Sequence, residues 1–219
     1  MISALFVLSV LSAVGAAFPS SANLRRTSNT SLPVCSSTPE ACVCPDGTFY
    51  QVSTTYAVFF AETGDLTELI SNFTDTAWQG ASPAEVGGNA TNPTRILQGE
   101  VDGAAIETTE WLTEFVDYSG GEYLEHKRLR KGFFERFEII DVPIHYTGES
   151  GPGIIGGAWD TIDVRKISDG KTLWVWGIYA CMSSAWDFRL IHQSLMKNIN
   201  STLEKEGKLR GKTIGPFSV

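Results

Sequence analysis

One long amphipathic segment near the end of the chain constrains the fold more than any other feature of the sequence. Residues 185–206 predict a helix whose apolar side chains recur at spacings of three and four and so form one stripe: Phe188, Ile191, Leu195, Ile199 and Leu203. Ser183 or Ser184 is expected to cap this helix, and Gly207 is expected to end it. Such a helix has to bury its stripe against another layer of secondary structure.

The partner layer is predicted to be a sheet, because the preceding chain alternates in the way that strands do. A first strand is predicted at 49–61, a short helix capped by Asp65 at 65–73, and a loop at 79–93. Further strands are predicted at 94–101, 105–118, 123–129, 134–146, 156–167 and 172–182. The turns between them are too short for parallel crossovers. The predicted fold class is therefore α+β, with a curved antiparallel sheet wrapped around the C-terminal helix in a helix-grip arrangement.

The first residues are typical of an export signal. Residues 1–17 carry no charged side chain, an apolar run and then small residues, which predicts a signal peptide that is cleaved before Phe18. The run is shorter than the roughly 20 residues that a membrane-spanning helix needs, so no stable membrane span is expected. The predicted divisions are this peptide, a Ser-, Thr- and Pro-rich tract with cysteines at 18–47, a folded domain at 48–207 and a tail at 208–219.

Four glycosylation sequons also indicate secretion, and each is expected to mark a solvent-facing asparagine: Asn29, Asn72, Asn89 and Asn200. The dibasic pair Arg25-Arg26 lies in the polar tract. It is either a processing site or part of an uncleaved flexible tail, and the sequence leaves both interpretations open.

The four cysteines fit an extracellular protein, because disulfides persist in oxidising compartments. Cys42 and Cys44 are separated by one residue and seldom bridge each other, since the ring would be strained. Cys35 is therefore expected to bridge one of this pair and Cys181 the other, which pins the N-terminal tract to a late strand. Metal binding is the rival interpretation, but Cys-x-Cys without a nearby histidine is a poor zinc pattern, so no metal is predicted.

The acidic charge and the placement of the glycines exclude two classes of partner, nucleic acids and nucleotides. Asp and Glu number 25 against 17 Lys and Arg, and the resulting formal charge of −8 repels phosphate backbones, so no nucleic acid is expected. The glycines at 151–157 are not followed by a predicted phosphate-binding helix. No bound cofactor is predicted.

The order of elements, together with three groups of residues, resembles the START/Bet v 1-like (helix-grip) superfamily. Within it, the chain is most similar to the polyketide cyclase/dehydratase and lipid-transport group. The resemblance covers about residues 54–206 and rests on Thr94-Arg95-Ile96-Leu97 with Gly103 and Glu107-Thr108, on FEIIDVP at 137–143, and on Gly156, Trp159 and Val164 before GKTLWVW at 170–176. The export signal and the cysteines depart from the family pattern, in which most members are intracellular.

The resemblance implies an internal cavity that holds an apolar small molecule such as a lipid, sterol or polyketide. Residues on the inner faces of strands and helix are expected to line it, although they also suit a packed core: Trp111, Phe115, Trp174, Trp176, Phe188, His192 and Leu195. The opposite face of the last strand is apolar too. Either the N-terminal tract covers it or it forms a dimer interface, so a monomer and a homodimer are both compatible with the sequence.

Three functions remain open, and the sequence favours the first. The protein is expected to be a secreted binding protein for a hydrophobic small molecule. The second is a cyclase- or dehydratase-type enzyme in which His192 works with Arg95 or Tyr179, although a buried histidine that only packs in the core is the competing interpretation. The third is a secreted interaction protein that acts through its outer surface. No hydrolase elbow or metal-spaced histidine pair supports other chemistry.

Overall fold

The structure is a computed structural model, and it describes residues 32–37, 42–80, 85–89, 92–120 and 131–219. The expected signal peptide, Arg25-Arg26, Asn29 and the strand predicted at 123–129 lie outside the described residues. The fold is α+β, with one large antiparallel sheet and a C-terminal helix. The strands are β1 (Phe49–Phe59), β2 (Val86–Gly88), β3 (Pro93–Val101), β4 (Ala104–Asp117), β5 (Gly132–Ile140), β6 (Ile144–Gly148), β7 (Gly151–Ser168), β8 (Lys171–Met182) and β9 (Ile214–Ser218). The α-helices are α1 (Thr63–Ile70) and α2 (Phe188–Lys205).

The sheet has the order β2-β3-β4-β5-β7-β8-β1-β9, with β6 paired to β7. Neighbours in sequence pair from β2 to β5 and from β7 to β8, as a meander requires. The first strand, β1, lies on the other side of β8 and pairs with it from Phe49 opposite Met182 to Phe59 opposite Thr172. Because all of these pairs are antiparallel, the predicted sheet type is confirmed.

Two predicted strand assignments need correction. The strand predicted at 134–146 is two strands, β5 and β6, because Asp141 takes a positive φ of 62° and Pro143 has no N–H for the ladder. The tail predicted at 208–219 contains β9, in which Ser218 lies opposite Thr55 of β1. The C-terminal residues are therefore part of the sheet.

The helix boundaries differ from the predicted ones for local reasons. Helix α1 begins at Thr63, and Asp65 lies in its first turn rather than at the cap. Asp187 caps α2 by accepting a hydrogen bond from the backbone N–H of Arg189. The predicted cap Ser183 is used elsewhere, since its hydroxyl accepts the Ile154 N–H at 2.8 Å. Gly207 follows the end of α2 with a φ of 67°, as expected for the residue after a helix.

The stripe that α2 buries is rotated from the predicted one. The buried residues are Phe188, His192, Met196, Ile199 and Leu203. Ile191 is 43% exposed, so its predicted burial was wrong. At 3.6 residues per turn, positions 188, 192, 196, 199 and 203 stay on one side, and Met196 takes the place that the spacing assigned to Leu195.

Two disulfides settle the pairing that the sequence left open: Cys35–Cys42 closes a short loop, and Cys44–Cys181 attaches the segment before β1 to β8. Cys181 lies on the face of β8 that points away from α2, and it is fully buried. The tract packs closely on the sheet beside Cys181: a Cβ built on Gly156 of the neighbouring β7 would lie 3.2 Å from the Cγ of Pro45. In the part of the chain that the structure describes, no helix has the length and apolarity needed to cross a membrane.

Candidate functional site

A cavity of ≈ 270 Å³ lies between the inner face of the sheet and α2. Most of its wall is apolar, with contributions from five strands and from α2: Leu97, Ile106, Phe137, Ile155, Ala158, Trp176, Ile178, Met182, Phe188 and Leu195. Exposed residues 98–100 of β3 and Ile191 of α2 also line it and mark its mouth. A groove of ≈ 760 Å³ runs between α2 and residues 209–216, but the exposed charged residues Lys197, Glu204 and Lys212 line it. The smaller cavity is the better candidate site for an apolar ligand.

Four of the residues expected to line a cavity do so: Trp176, Phe188, His192 and Leu195. Trp174 lies outside the cavity wall and is fully buried in the core. Its ring packs against Phe59 and Trp78, each with 6.0 Å between ring centroids. Aromatic side chains therefore fill the part of the interior around Trp174, whereas Trp176 borders the cavity.

Trp111 and Phe115 were expected to share one face of their strand, and a β-bulge separates them. The register between β4 and β5 shifts between Leu112 and Glu114. Phe115 therefore lies opposite the buried Glu135, whereas Trp111 lies opposite Glu138 on the outer side. Phe115 is 45% exposed and stacks on Phe133, so neither Trp111 nor Phe115 lines the cavity.

A buried ion pair forms part of the polar wall of the cavity. The Nε of Arg95 donates to Oε2 of Glu110 at 2.7 Å, and its NH1 donates to the Phe73 carbonyl at 2.8 Å. The guanidinium lies over the rings of Phe73 and Phe137, at 4.3 and 4.9 Å from their centroids. Because the Arg95 side chain is only 1% exposed, these contacts replace the water that it loses on burial.

Two further buried carboxyl groups lie near this ion pair. Asp160 of β7 lines the cavity, and its Oδ1 accepts a hydrogen bond from the indole N–H of Trp176 at 2.7 Å. Burial, followed by the charge of Glu110, raises the pKa of Asp160 to about 8. Burial also raises the pKa of Glu135 to about 8, against the lowering effect of Arg95. Both side chains are therefore mainly protonated at pH 7.

His192 faces the cavity from α2 and is held on both sides. Its ring stacks on Trp176 with 4.3 Å between centroids, and its Nδ1 lies 3.2 Å from the Oγ1 of Thr55. That hydroxyl lies 2.7 Å from the Oγ of Ser218, so β9 supports the histidine through β1. Burial lowers the pKa of His192 to about 4, which leaves the imidazole neutral at physiological pH.

The structure brings together only two of the three residues considered for catalysis. Arg95 and His192 line the same cavity. Tyr179 does not line it, because it lies on the outer face of β8 with Leu173 and Val175. The structure therefore places Tyr179 on the opposite face of the sheet from His192.

Sequence reasoning missed three acidic residues: Glu110, Glu135 and Asp160. A signal was present in the spacing of two of them. Glu135 shares a strand face with Phe133 and Phe137, and Asp160 shares one with Ala158 and Ile162. An acidic residue in the apolar phase of a strand faces the core, where it needs a partner or a proton.

No protein-family model matches the sequence, and no curated protein matches it. Solved structures are similar at low identity. Ara h 8.0201 is 9% identical with a TM-score of 0.46, and the match covers 72% of this chain and 99% of that one. The Zhui aromatase/cyclase from a Streptomyces species is 10% identical with a TM-score of 0.44, over 73% of this chain and 87% of that one.

Norcoclaurine synthase from Thalictrum flavum, in complex with dopamine and hydroxybenzaldehyde, is 13% identical with a TM-score of 0.44. That match covers 76% of this chain and 91% of the synthase. These structures belong to the Bet v 1-like superfamily, the group that the sequence resembles. Identities this low carry neither a ligand nor an activity over to this chain, so both have to be inferred from the cavity itself.

Proposed function

We propose that the protein is a secreted binding protein for a small, mainly apolar molecule held in the cavity between the sheet and α2. The observation that supports it is the cavity wall, which is mostly apolar with a few buried polar groups, the usual composition of a small-molecule site. In this proposal the curved sheet wraps around α2, which is the helix-grip arrangement.

The volume of the cavity limits the size of the ligand. Sites for drug-sized molecules usually have volumes of about 300 to 1,000 Å³, and this cavity has ≈ 270 Å³. It suits a compound with one or two fused rings, or a short chain. A sterol or a two-chain lipid would require the wall to move.

Secretion rests on the predicted signal peptide and on the disulfides. Asn72 and Asn89 are exposed, as glycosylated asparagines have to be. Asn200 is half-buried, and its Oδ1 accepts a hydrogen bond from Thr213, so its side chain is less accessible to a glycan than the other two. Peptide mapping of the secreted protein is expected to find glycans on Asn72 and Asn89.

Native mass spectrometry of the secreted protein, followed by solvent extraction, tests the proposed function. We expect a bound small molecule that is released on extraction, and weaker or no retention in Ala158→Phe, whose ring would occupy the cavity. Ala105→Phe is the matched control, because it places the same ring on an exposed position of the sheet. If both variants retain the molecule equally, or if neither the wild type nor a set of one- and two-ring probes shows binding, the proposal is wrong.

Acid–base catalysis is a second candidate function, and one observation favours it. Trp176 holds Asp160 by a hydrogen bond and His192 by stacking, so an acid and a neutral imidazole line one cavity. Such a pair can polarise a carbonyl and remove an adjacent proton. We expect His192→Ala to retain ligand binding; a loss of turnover on that ligand would support the cyclase- or dehydratase-type enzyme.

A further inference from the structure

The buried polar cluster beside the cavity contains more acids than bases. Glu110 on β4, Glu135 on β5 and Asp160 on β7 lie near Arg95 on β3. Arg95 directs its Nε to Glu110 and its NH1 to a backbone carbonyl. Among the described residues, His192 on α2 is the other basic group that lines the cavity, and its ring is neutral.

A single cation cannot neutralise three carboxylates in an interior that excludes water. Transfer of an unpaired carboxylate out of water costs far more than protonation does, so the surplus groups keep their protons. Glu110 holds the ion pair with Arg95. Asp160 and Glu135 are therefore neutral acids, in agreement with their raised pKa values of about 8.

Asp160 is the one of these two neutral acids that reaches the cavity. It is 6% exposed and lines the wall, which Glu135 does not. Its Oδ1 accepts the Trp176 N–H, and within the described residues nothing is hydrogen-bonded to Oδ2. A carboxylic acid whose first oxygen already accepts a hydrogen bond carries its proton on the second, so Asp160 offers an O–H donor to the cavity.

We infer that the cavity selects ligands with a carbonyl oxygen, which accepts a hydrogen bond from Asp160. This inference rests on the proposed function and names the ligand class for the same site. A hydrocarbon of the same shape leaves the buried O–H without a partner, which carries a desolvation penalty. A protonated amine finds a neutral acid in Asp160, and the carboxylate of Glu110 is already paired with Arg95, so the amine gains no ion pair and is disfavoured. The ligand is therefore a small ketone, aldehyde or related carbonyl compound.

Three probes that share one two-ring skeleton test this inference by titration calorimetry: 1-indanone, indane and 1-aminoindane. At pH 6.5 we expect 1-indanone to bind about tenfold more tightly than indane, because only 1-indanone accepts a hydrogen bond from the buried donor. The amine is expected to bind least well. The carbonyl stretch of bound 1-indanone should shift to lower frequency, as it does on accepting a hydrogen bond.

Two substitutions of Asp160 test the effect of the hydrogen-bond donor separately from the shape of the site. Asp160→Asn keeps an acceptor for Trp176 and a donor for the ligand, so the preference for the ketone should persist. Asp160→Leu removes the donor, so 1-indanone and indane should bind within about twofold of each other and the carbonyl shift should disappear. Because Asp160→Asn is close to isosteric, it remains informative if the leucine variant fails to fold.

The pH dependence supplies a further readout. The O–H of Asp160 is present below its pKa of about 8 and is lost above it, so the wild-type preference for the ketone should fall between pH 7 and 9. Glu135 titrates in the same range, but it does so in wild type and in Asp160→Asn alike. The preference should therefore stay constant with pH in Asp160→Asn.

The outcomes distinguish this inference from the function on which it rests. Equal binding of 1-indanone and indane to the wild type, or tighter binding of the amine, would overturn the carbonyl preference and leave the cavity function standing. Binding of none of the three probes would contradict the cavity function itself, and the inference with it.

Discussion

Replacement of both Cys44 and Cys181 by serine is expected to lower the free energy of unfolding by about 5 kcal/mol. The bond joins residues 137 positions apart, so its removal frees a long loop in the unfolded chain. It also releases the segment around Cys44 from the end of β8, where Cys181 is fully buried. Guanidinium denaturation of the wild type and the double variant measures the difference.

The second disulfide is the matched control for the first. Cys35 and Cys42 are 7 positions apart, so replacing both by serine should cost only about 2 kcal/mol on the same chain-entropy account. Each double variant leaves the other pair intact. Equal losses from the two variants would contradict the view that the long-range bond is the main tether of the N-terminal tract.

Substitution of Arg95 by methionine is expected to destabilise the fold by about 3 to 5 kcal/mol at pH 7, because it leaves Glu110 buried without its cation. The variant also removes the contacts of the guanidinium with the rings of Phe73 and Phe137. Adding Glu110→Gln should recover much of the loss, since no buried charge then lacks a partner. Thermal and denaturant unfolding of both variants test this expectation.

Arg136→Met provides the comparison for a surface ion pair. Arg136 lies 3.2 Å from Glu114, and the two side chains are 40% and 36% exposed. Its loss should cost about 1 kcal/mol or less, because water screens exposed pairs. If Arg95→Met costs no more than Arg136→Met, the buried cluster does not contribute to stability in the way described here.

Much of the fold could be predicted because alternation and turn residues act locally. The sheet type, the position of α2 and the inward face of β8 follow from spacing alone. The bulge between Leu112 and Glu114 could not be predicted, since one extra residue reverses the faces of a strand without a distinct sequence signal. This shift separated Trp111 from Phe115. β9 was missed because the segment 214–218 is too short to show strand alternation and contains Gly215 and Pro216.

The polar part of the site was harder to predict than the apolar part. Trp176, Phe188 and Leu195 are large apolar residues in phase with the core, so periodicity identifies them. Asp160 and Glu135 are in the same phase, but acidic residues in strands usually face water. Their burial depends on contacts across five strands, which a single sequence does not specify. The neutral state of these acids is therefore a property of the assembled fold.

NMR of the protein with labelled methyl groups, in complex with 1-indanone, tests the central claim that the cavity binds a small molecule. The claim predicts nuclear Overhauser contacts from the probe to Leu97 and Leu195, which line the cavity from β3 and α2. Contacts to Val52 and Val175 on the outer face of the sheet, without contacts to Leu97 and Leu195, would contradict it and favour a role for the outer surface.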